Sequence, residues 1–214
     1  MKPSELDNSP RQHIMLTALK LFSEQGYERT TVRQIAKTAG VNISAISYYF
    51  GDKSGLYKAT YTEPLGCPGD DIPLFDRSDM TIEEALHGLL GGFIAPMKQN
   101  ELVRQCIRLH MREMVEPTGL WRNAIDNEIY PHHQALLSVL KRHLSLDTID
   151  DDLQRLAISI VSLGVHLMTG RDVMEKLCPQ LIKTATALDI MHERLVMFAM
   201  SMIQAEAARR KEVV

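Results

Sequence analysis

Apolar residues recur at intervals of three and four along most of this chain, and no stretch alternates strictly as a half-buried strand would. The pattern predicts an all-α protein. Gln12–Tyr27 carries Ile14, Leu16, Ala18, Leu19, Leu21 and Phe22, an amphipathic helix ending at Gly26. Thr31-Val32-Arg33-Gln34 has the form of a capping box, and Val32, Ile35, Ala36 and Ala39 follow on one face. Gly40 suits a left-handed helix end, and Asn42 suits the cap of the next helix. In that helix Ile43, Ile46 and Phe50 are available to a core, while Ser44, Ala45, Ser47 and Tyr48 point outward. Two short helices around a tight glycine turn are the form in which one helix is offered to a DNA major groove. Taken without their flanks, the alternative is an ordinary helical hairpin in an all-α core.

The remainder reads as helices of increasing length. A fourth helix runs from about Lys53 to Glu63, and Pro64–Ser78, with three prolines and three acidic residues, is a loop. Thr81-Ile82-Glu83-Glu84 is a second capping box, opening a helix to about Met97 that Gly88, Gly91 and Gly92 weaken and Pro96 stops or kinks. Asn100 caps a helix to Glu116, and Pro117-Thr118-Gly119 turns the chain. Trp121–Leu144 follows as one long helix with Pro131 inside, so a kink is expected near Tyr130. The last long helices are expected at Asp150–Thr169 and Thr186–Lys211, separated by a shorter one, Asp172–Lys183, that Pro179 interrupts.

The flanks of the short hairpin distinguish its two interpretations. Tyr48-Tyr49-Phe50-Gly51-Asp52-Lys53 places two phenols and a lysine beside a helix start, the usual donors to phosphate oxygens. Phe22, Gly26-Tyr27, Thr30-Thr31, Ile35-Ala36, Ala39-Gly40-Val41, Tyr49-Phe50 and Lys53 with Leu56 together span about residues 10–60 without a gap. In these residues the segment resembles the N-terminal domain of the tetracycline-repressor (TetR/AcrR) family of bacterial regulators. The resemblance implies a three-helix DNA-binding head over residues 1–60. Arg33, Ser44, Ala45 and Ser47 lie where family members contact bases, and Thr31, Tyr48, Tyr49 and Lys53 where they contact the phosphate backbone. Ile43 occupies a position often polar in relatives and is given no base contact.

Residues 61–214 would then form a helical effector-binding and dimerisation domain. Arg112-Glu113-Met114 with Pro117-Thr118, then Ile129-Tyr130-Pro131-His132, resembles the CecR (YbiH)-like branch, which implies a ligand-responsive dimer. Stripes of Leu156, Ile160, Leu163 and Leu167, and of Leu195, Phe198 and Met202, with small residues Ser159, Gly164 and Ala199, more often cover the core of a single chain; the family resemblance implies instead that two such helices from each subunit pack as a four-helix dimer interface. Met97, Cys106, His110, Met114, Trp121, Ile125 and His166 are candidates to line an effector cavity, although residues of these types at helical spacing are more often core. The partners implied are double-stranded operator DNA, a second copy of the chain and a small-molecule effector. The function implied is that of a repressor which a ligand releases from a palindromic operator. The competing class is a helical small-molecule-binding or protein-interaction module without sequence-specific DNA binding.

Composition adjusts this picture only slightly. The formal charge is −3 over 214 residues, with +3 on residues 1–60 and −6 on the rest, so a DNA footprint belongs at the N-terminal end. Lys2 and Arg11 would extend that footprint if the N-terminus acts as an arm. Met1–Pro10 is polar, without a signal-like apolar run, and no span of about 20 apolar residues occurs, so a cytoplasmic protein with no membrane association is expected. Cys67, Cys106 and Cys178 are odd in number and widely spaced, unlike a disulfide framework or a zinc ribbon. His132-His133 with His110, His143 or His166 lacks metal-ligand spacing. No phosphate loop or nucleophile elbow is present, so neither a cofactor nor catalysis is expected.

Overall fold

A computed structural model describes residues 9–64, 72–99 and 101–212. Lys2, Cys67 and Asn100 lie outside these segments. Among the described residues the secondary structure is helical, with no strand. Two compact units divide the chain. The first joins residues 1–67 with 100–123, and the second joins 68–99 with 124–214.

In the first unit, α1 (Pro10–Gln25) packs on α2 (Val32–Ala39), α4 (Lys53–Thr62) and α6 (Glu101–Val115), and α3 (Ile43–Phe50) packs on α2 and α4. Each start is set by a side-chain cap. Ser9 accepts from Gln12 N–H, Thr31 from Gln34 N–H, Asn42 from Ser44 N–H and Asp52 from Gly55 N–H. At Thr31 the hydroxyl accepts from Gln34 N–H at 3.1 Å, and the Gln34 side chain donates through Nε2 to Gln25 Oε1 on α1. Gly40 ends α2 at φ 66°, ψ 29°, and its N–H bonds back to Ala36 and Lys37 carbonyls, so the turn of the hairpin needs a residue without a Cβ penalty there. Ile14, Leu19, Phe22, Ile35, Ile46 and Leu56 are fully buried and fix the three-helix arrangement. Ile43 departs from expectation: it is 42% exposed and lies outside the core. Its position, three residues before the fully buried Ile46, turns it about 60° away from the inward side of an eight-residue helix.

In the second unit, α5 (Ile82–Met97) lies against α8 (Tyr130–His143), α9 (Asp151–Thr169) and α11 (Ala185–Glu212), and α9 lies against α8 and α11. Leu90, Ile94, Leu137, Leu140, Leu153, Ala157, Ile160, Ala199 and Ile203 form the centre of one apolar cluster. Both halves of the Thr81–Glu84 capping box are made. Pro96 stops α5 one residue later, at Met97. The long helix expected across Trp121–Leu144 is instead α7 (Leu120–Ala124), a π-helical turn (Ile125–Ile129) and α8. The Tyr130 N–H reaches back five residues to the Ile125 carbonyl. A widened turn accommodates Pro131, which lacks a donor and would crowd the carbonyl four residues earlier in an α-helix. A short helix, α10 (Arg171–Leu177), and a 3₁₀ turn (Pro179–Leu181) split at the expected proline.

Candidate nucleic-acid interface

The outward side of α3 carries two rows of side chains, because residues four apart stack along a helix. Ile43 and Ser47 form one row; Ser44 and Tyr48 form the other. Ser44, Ser47 and Tyr48 are exposed, Tyr48 by 82%, and Ala45 is half-buried at the edge. From α2, Arg33 is exposed beside the Thr31 cap. Small hydroxyls and one methyl allow close approach to base edges, and the arginine adds a long forked donor.

Behind this side the aromatic tail of α3 is ordered by its own packing. The Tyr48 and Tyr49 rings meet edge to face at 5.0 Å, and Tyr49 meets Phe50 at 6.3 Å. Lys53 Nζ sits 4.1 Å from the centroid of the Tyr27 ring, which holds the ammonium at the start of α4. Arg11, which an N-terminal arm would have brought to the DNA, lies within α1. It makes a bidentate pair with Glu63 at 2.8 Å and sits over the Phe50 ring at 4.9 Å. Its positive charge is therefore partly matched within the unit.

The same unit contains a polar junction that the sequence alone did not bring to light. Glu113, on α6, is 0% exposed. Its carboxylate accepts from the Tyr57 hydroxyl (2.8 Å), Thr118 N–H (2.7 Å), the Thr118 hydroxyl (2.9 Å) and Trp121 N–H (3.2 Å). The adjacent Arg112 donates from Nε to the Ser23 carbonyl (2.8 Å) and from Nη2 to the Glu24 carbonyl (2.7 Å). These are last-turn carbonyls of α1, which lack partners within the helix, and a cation there also complements the helix dipole. Burial, followed by the bond to Glu113, pushes the Tyr57 hydroxyl well above the usual phenol range, so it remains a donor. A neighbouring Arg-Glu pair on an otherwise apolar helix face was the available signal, but its partners are too distant in sequence to be inferred.

The candidate effector residues are divided between the units. Cys106, His110, Met114 and Trp121 belong to the first; Met97, Ile125 and His166 belong to the second. Cys106 is buried, which pushes its thiol up to about 12, and its carbonyl bonds His110 Nδ1 at 2.8 Å. His110 stacks on Tyr61 with ring centroids 4.0 Å apart, and burial lowers its proton affinity. Trp121 is half-buried and tied through its N–H to Glu113; Met114 is exposed. Met97 is buried, while Ile125 and His166 are exposed. Among the described residues no group of histidine, cysteine or acidic side chains is arranged to hold a metal.

Of the candidate dimer residues, Leu156, Ile160, Leu167 and Leu195 belong to the core of the single chain, and Leu163 and Met202 pack against its edge. Phe198 is exposed. The apolar side chains that α9 and α11 leave open are Ile158, Ile190, Met197 and Phe198.

Comparison with known proteins agrees with this geometry. Residues 14–60 match the family described as bacterial regulatory proteins, tetR family. Residues 82–203 match the C-terminal domain of the HTH-type transcriptional dual regulator CecR. The chain is 53% identical to the HTH-type transcriptional regulator AcrR of Shigella flexneri over 47 residues, and that alignment spans only 22% of either protein. With the HTH-type transcriptional repressor AcnR of Corynebacterium efficiens it shares 32% identity over 163 residues, 76% of this chain and 78% of that protein. Among solved structures, NalD of Pseudomonas aeruginosa, the secondary repressor of the MexAB-OprM multidrug efflux pump, superposes with a TM-score of 0.60 at 19% identity. That match covers 90% of this chain and 95% of NalD. The hemolysin II transcriptional regulator HlyIIR gives 0.57 at 21% identity, covering 81% and 95%. At such identities the two structures speak for the fold alone. With a reading head that matches over residues 14–60 and a CecR-type domain over more than half its length, the chain belongs to the TetR family of DNA-binding transcriptional regulators and is not an enzyme.

Proposed function

We propose that this regulator is a ligand-released repressor that binds a palindromic operator as a homodimer. Residues 1–60 serve as the reading head and 61–214 as the effector-binding and dimerising body. Arg33, Ser44, Ala45 and Ser47 read bases, and Thr31, Tyr48, Tyr49 and Lys53 hold phosphates. The observation that carries the proposal is the docking of α6 on the head through Arg112 and Glu113. A helix that lies beyond residue 60 yet folds with the head, tied to both α1 and α4, gives a ligand a direct mechanical purchase on it. Ligand binding would favour an arrangement in which two heads no longer match successive major grooves. Cys106, His110, Met114 and Trp121, on α6 and just beyond it, would face that ligand; Met97, Ile125 and His166 belong to the other unit. The homodimer would form through α9 and α11, with Phe198 and the neighbouring exposed side chains at its centre. AcnR of Corynebacterium efficiens, the relative at 32% identity, is itself a transcriptional repressor. As a chromosomal regulator, the protein would work in the cytoplasm.

The test is salt-dependent binding to DNA from its own promoter region, followed by a screen for compounds that release it. Tyr49→Ala with Lys53→Ala should weaken binding to every DNA and flatten the salt dependence. Arg33→Ala should instead change which sequence is preferred, by about tenfold at the affected base pair. An unchanged affinity in the double variant would remove the phosphate assignments. The chain has a single tryptophan, so quenching of Trp121 fluorescence reports directly whether a releasing compound binds near α6.

A further inference from the structure

We infer that Ile43 is a specificity residue that reads the 5-methyl group of a thymine in the major groove. The inference rests on the DNA-binding role of α3 and adds the base chemistry of its first turn. Three observations carry it. Ile43 is the first residue of α3 and is 42% exposed, although a branched aliphatic side chain in so small a head would otherwise serve the core. The core has no need of it, because Ile46 is fully buried and sets the rotation of the helix. Asn42, immediately before it, is turned back onto the helix, with its Oδ1 accepting from Ser44 N–H at 3.1 Å. Ile43 and Ser44 are therefore the leading side chains at the helix start, where recognition helices meet base edges.

The chemistry then selects the base. Ser44 and Ser47 can each donate and accept, so their hydroxyls tolerate more than one base edge. Ile43 cannot hydrogen-bond at all. Beside an amino or carbonyl edge it would displace water without replacing the lost bonds, and beside a thymine methyl it buries apolar surface on both partners. In the row shared with Ser47, the isoleucine thus contributes the discrimination that the hydroxyl lacks.

The experiment uses the full-length protein and DNA fragments that it selects from a random-sequence pool. Each thymine in a selected site is replaced singly by deoxyuridine, which removes only the methyl group, and dissociation constants are measured by fluorescence anisotropy at fixed salt. For the unaltered protein, one thymine and its symmetry mate should each lose about fourfold in affinity, the value of one buried methyl. In Ile43→Ala that loss should vanish, so that thymine and uracil bind alike, while Ile43→Val should retain part of it. If no position is sensitive, or if the sensitivity persists in Ile43→Ala, the inference falls and the DNA-binding role stands. If the pool yields no enriched sequence, both fall together. Thermal melting followed by circular dichroism accompanies each variant: an unchanged midpoint is expected of an exposed residue, and a large drop would mark Ile43 as a core residue and overturn the assignment.

Discussion

Glu113 shows how much a single side chain can organise. A carboxylate with no exposure is tolerated here because four donors surround it, one from α4, two from the Thr118 turn and one from Trp121. Glu113→Ala would strand the Tyr57 hydroxyl and two backbone donors, so a loss of about 3 kcal/mol is expected in urea unfolding. Tyr57→Phe removes one donor and leaves the others in place; about 1 kcal/mol is expected. A reversed order would mean that the junction is held by the phenol ring and not by the carboxylate. His110 makes a second prediction. Burial lowers its folded proton affinity, so the unfolded chain takes up a proton first as pH falls. Stability is fully present above the unfolded value of about 6.5 and declines below it, and His110→Gln should flatten that part of a melting-temperature profile. Caps were legible in the sequence because Thr31, Gly40 and Asn42 act on neighbours two to four residues away. Glu113 was not, because Tyr57 is 56 residues distant. Ile43 was assigned to the core on spacing alone, and an eight-residue helix with a single fully buried anchor gives spacing too little to work with.

At the scale of elements, helix existence followed the apolar period closely, and the departure came where backbone chemistry overrode it. The pattern from Trp121 to Leu144 is continuous, but Pro131 needs a widened turn, and the π segment supplies it without ending the helical run. Gly164 was expected to allow close helix approach at a subunit boundary. It is buried within the chain's own core, where a Cβ would come 2.4 Å from the Phe93 ring of α5. Gly164→Ala should therefore cost about 1–3 kcal/mol by overpacking, measured by thermal unfolding. A neutral outcome would mean that the Phe93 ring moves aside freely. The start of α9 is tied to the end of α11. Asp150 caps Leu153 N–H and pairs both carboxylate oxygens with Arg210 at 2.7 and 2.8 Å. The Arg210 bonds, then the Leu153 N–H, hold the Asp150 carboxyl below the usual range. Its stabilising contribution is thus present above the unfolded value of about 4 and fades as pH falls toward the lower folded one. Asp150→Asn keeps the cap and loses the pair, an exposed interaction contributing about 0–1 kcal/mol; Asp150→Ala also loses the cap, about 1 kcal/mol more. Melting of the two variants at neutral pH separates the contributions.

At the scale of the whole molecule, the proposed homodimer would set two reading heads on one operator, which multiplies selectivity for a single chromosomal site. Ile158→Glu with Phe198→Glu is expected to give a monomer in sedimentation and to abolish selective DNA binding, while leaving the helical content intact, since both side chains are exposed. A dimer that survives both charges would have to form elsewhere. The positive head and negative body follow directly from residue counts, whereas the way the chain divides does not. Residues 100–123 fold with 1–67, because Arg112 completes the end of α1 and Tyr57 finds its acceptor on α6. Anyone grafting this reader onto a foreign sensor should therefore cut at two places instead of one. A transplant ending near residue 67 would carry bare carbonyls at the close of its first helix and a phenol without an acceptor, and its failure would be one of spliced parts and not of operator choice.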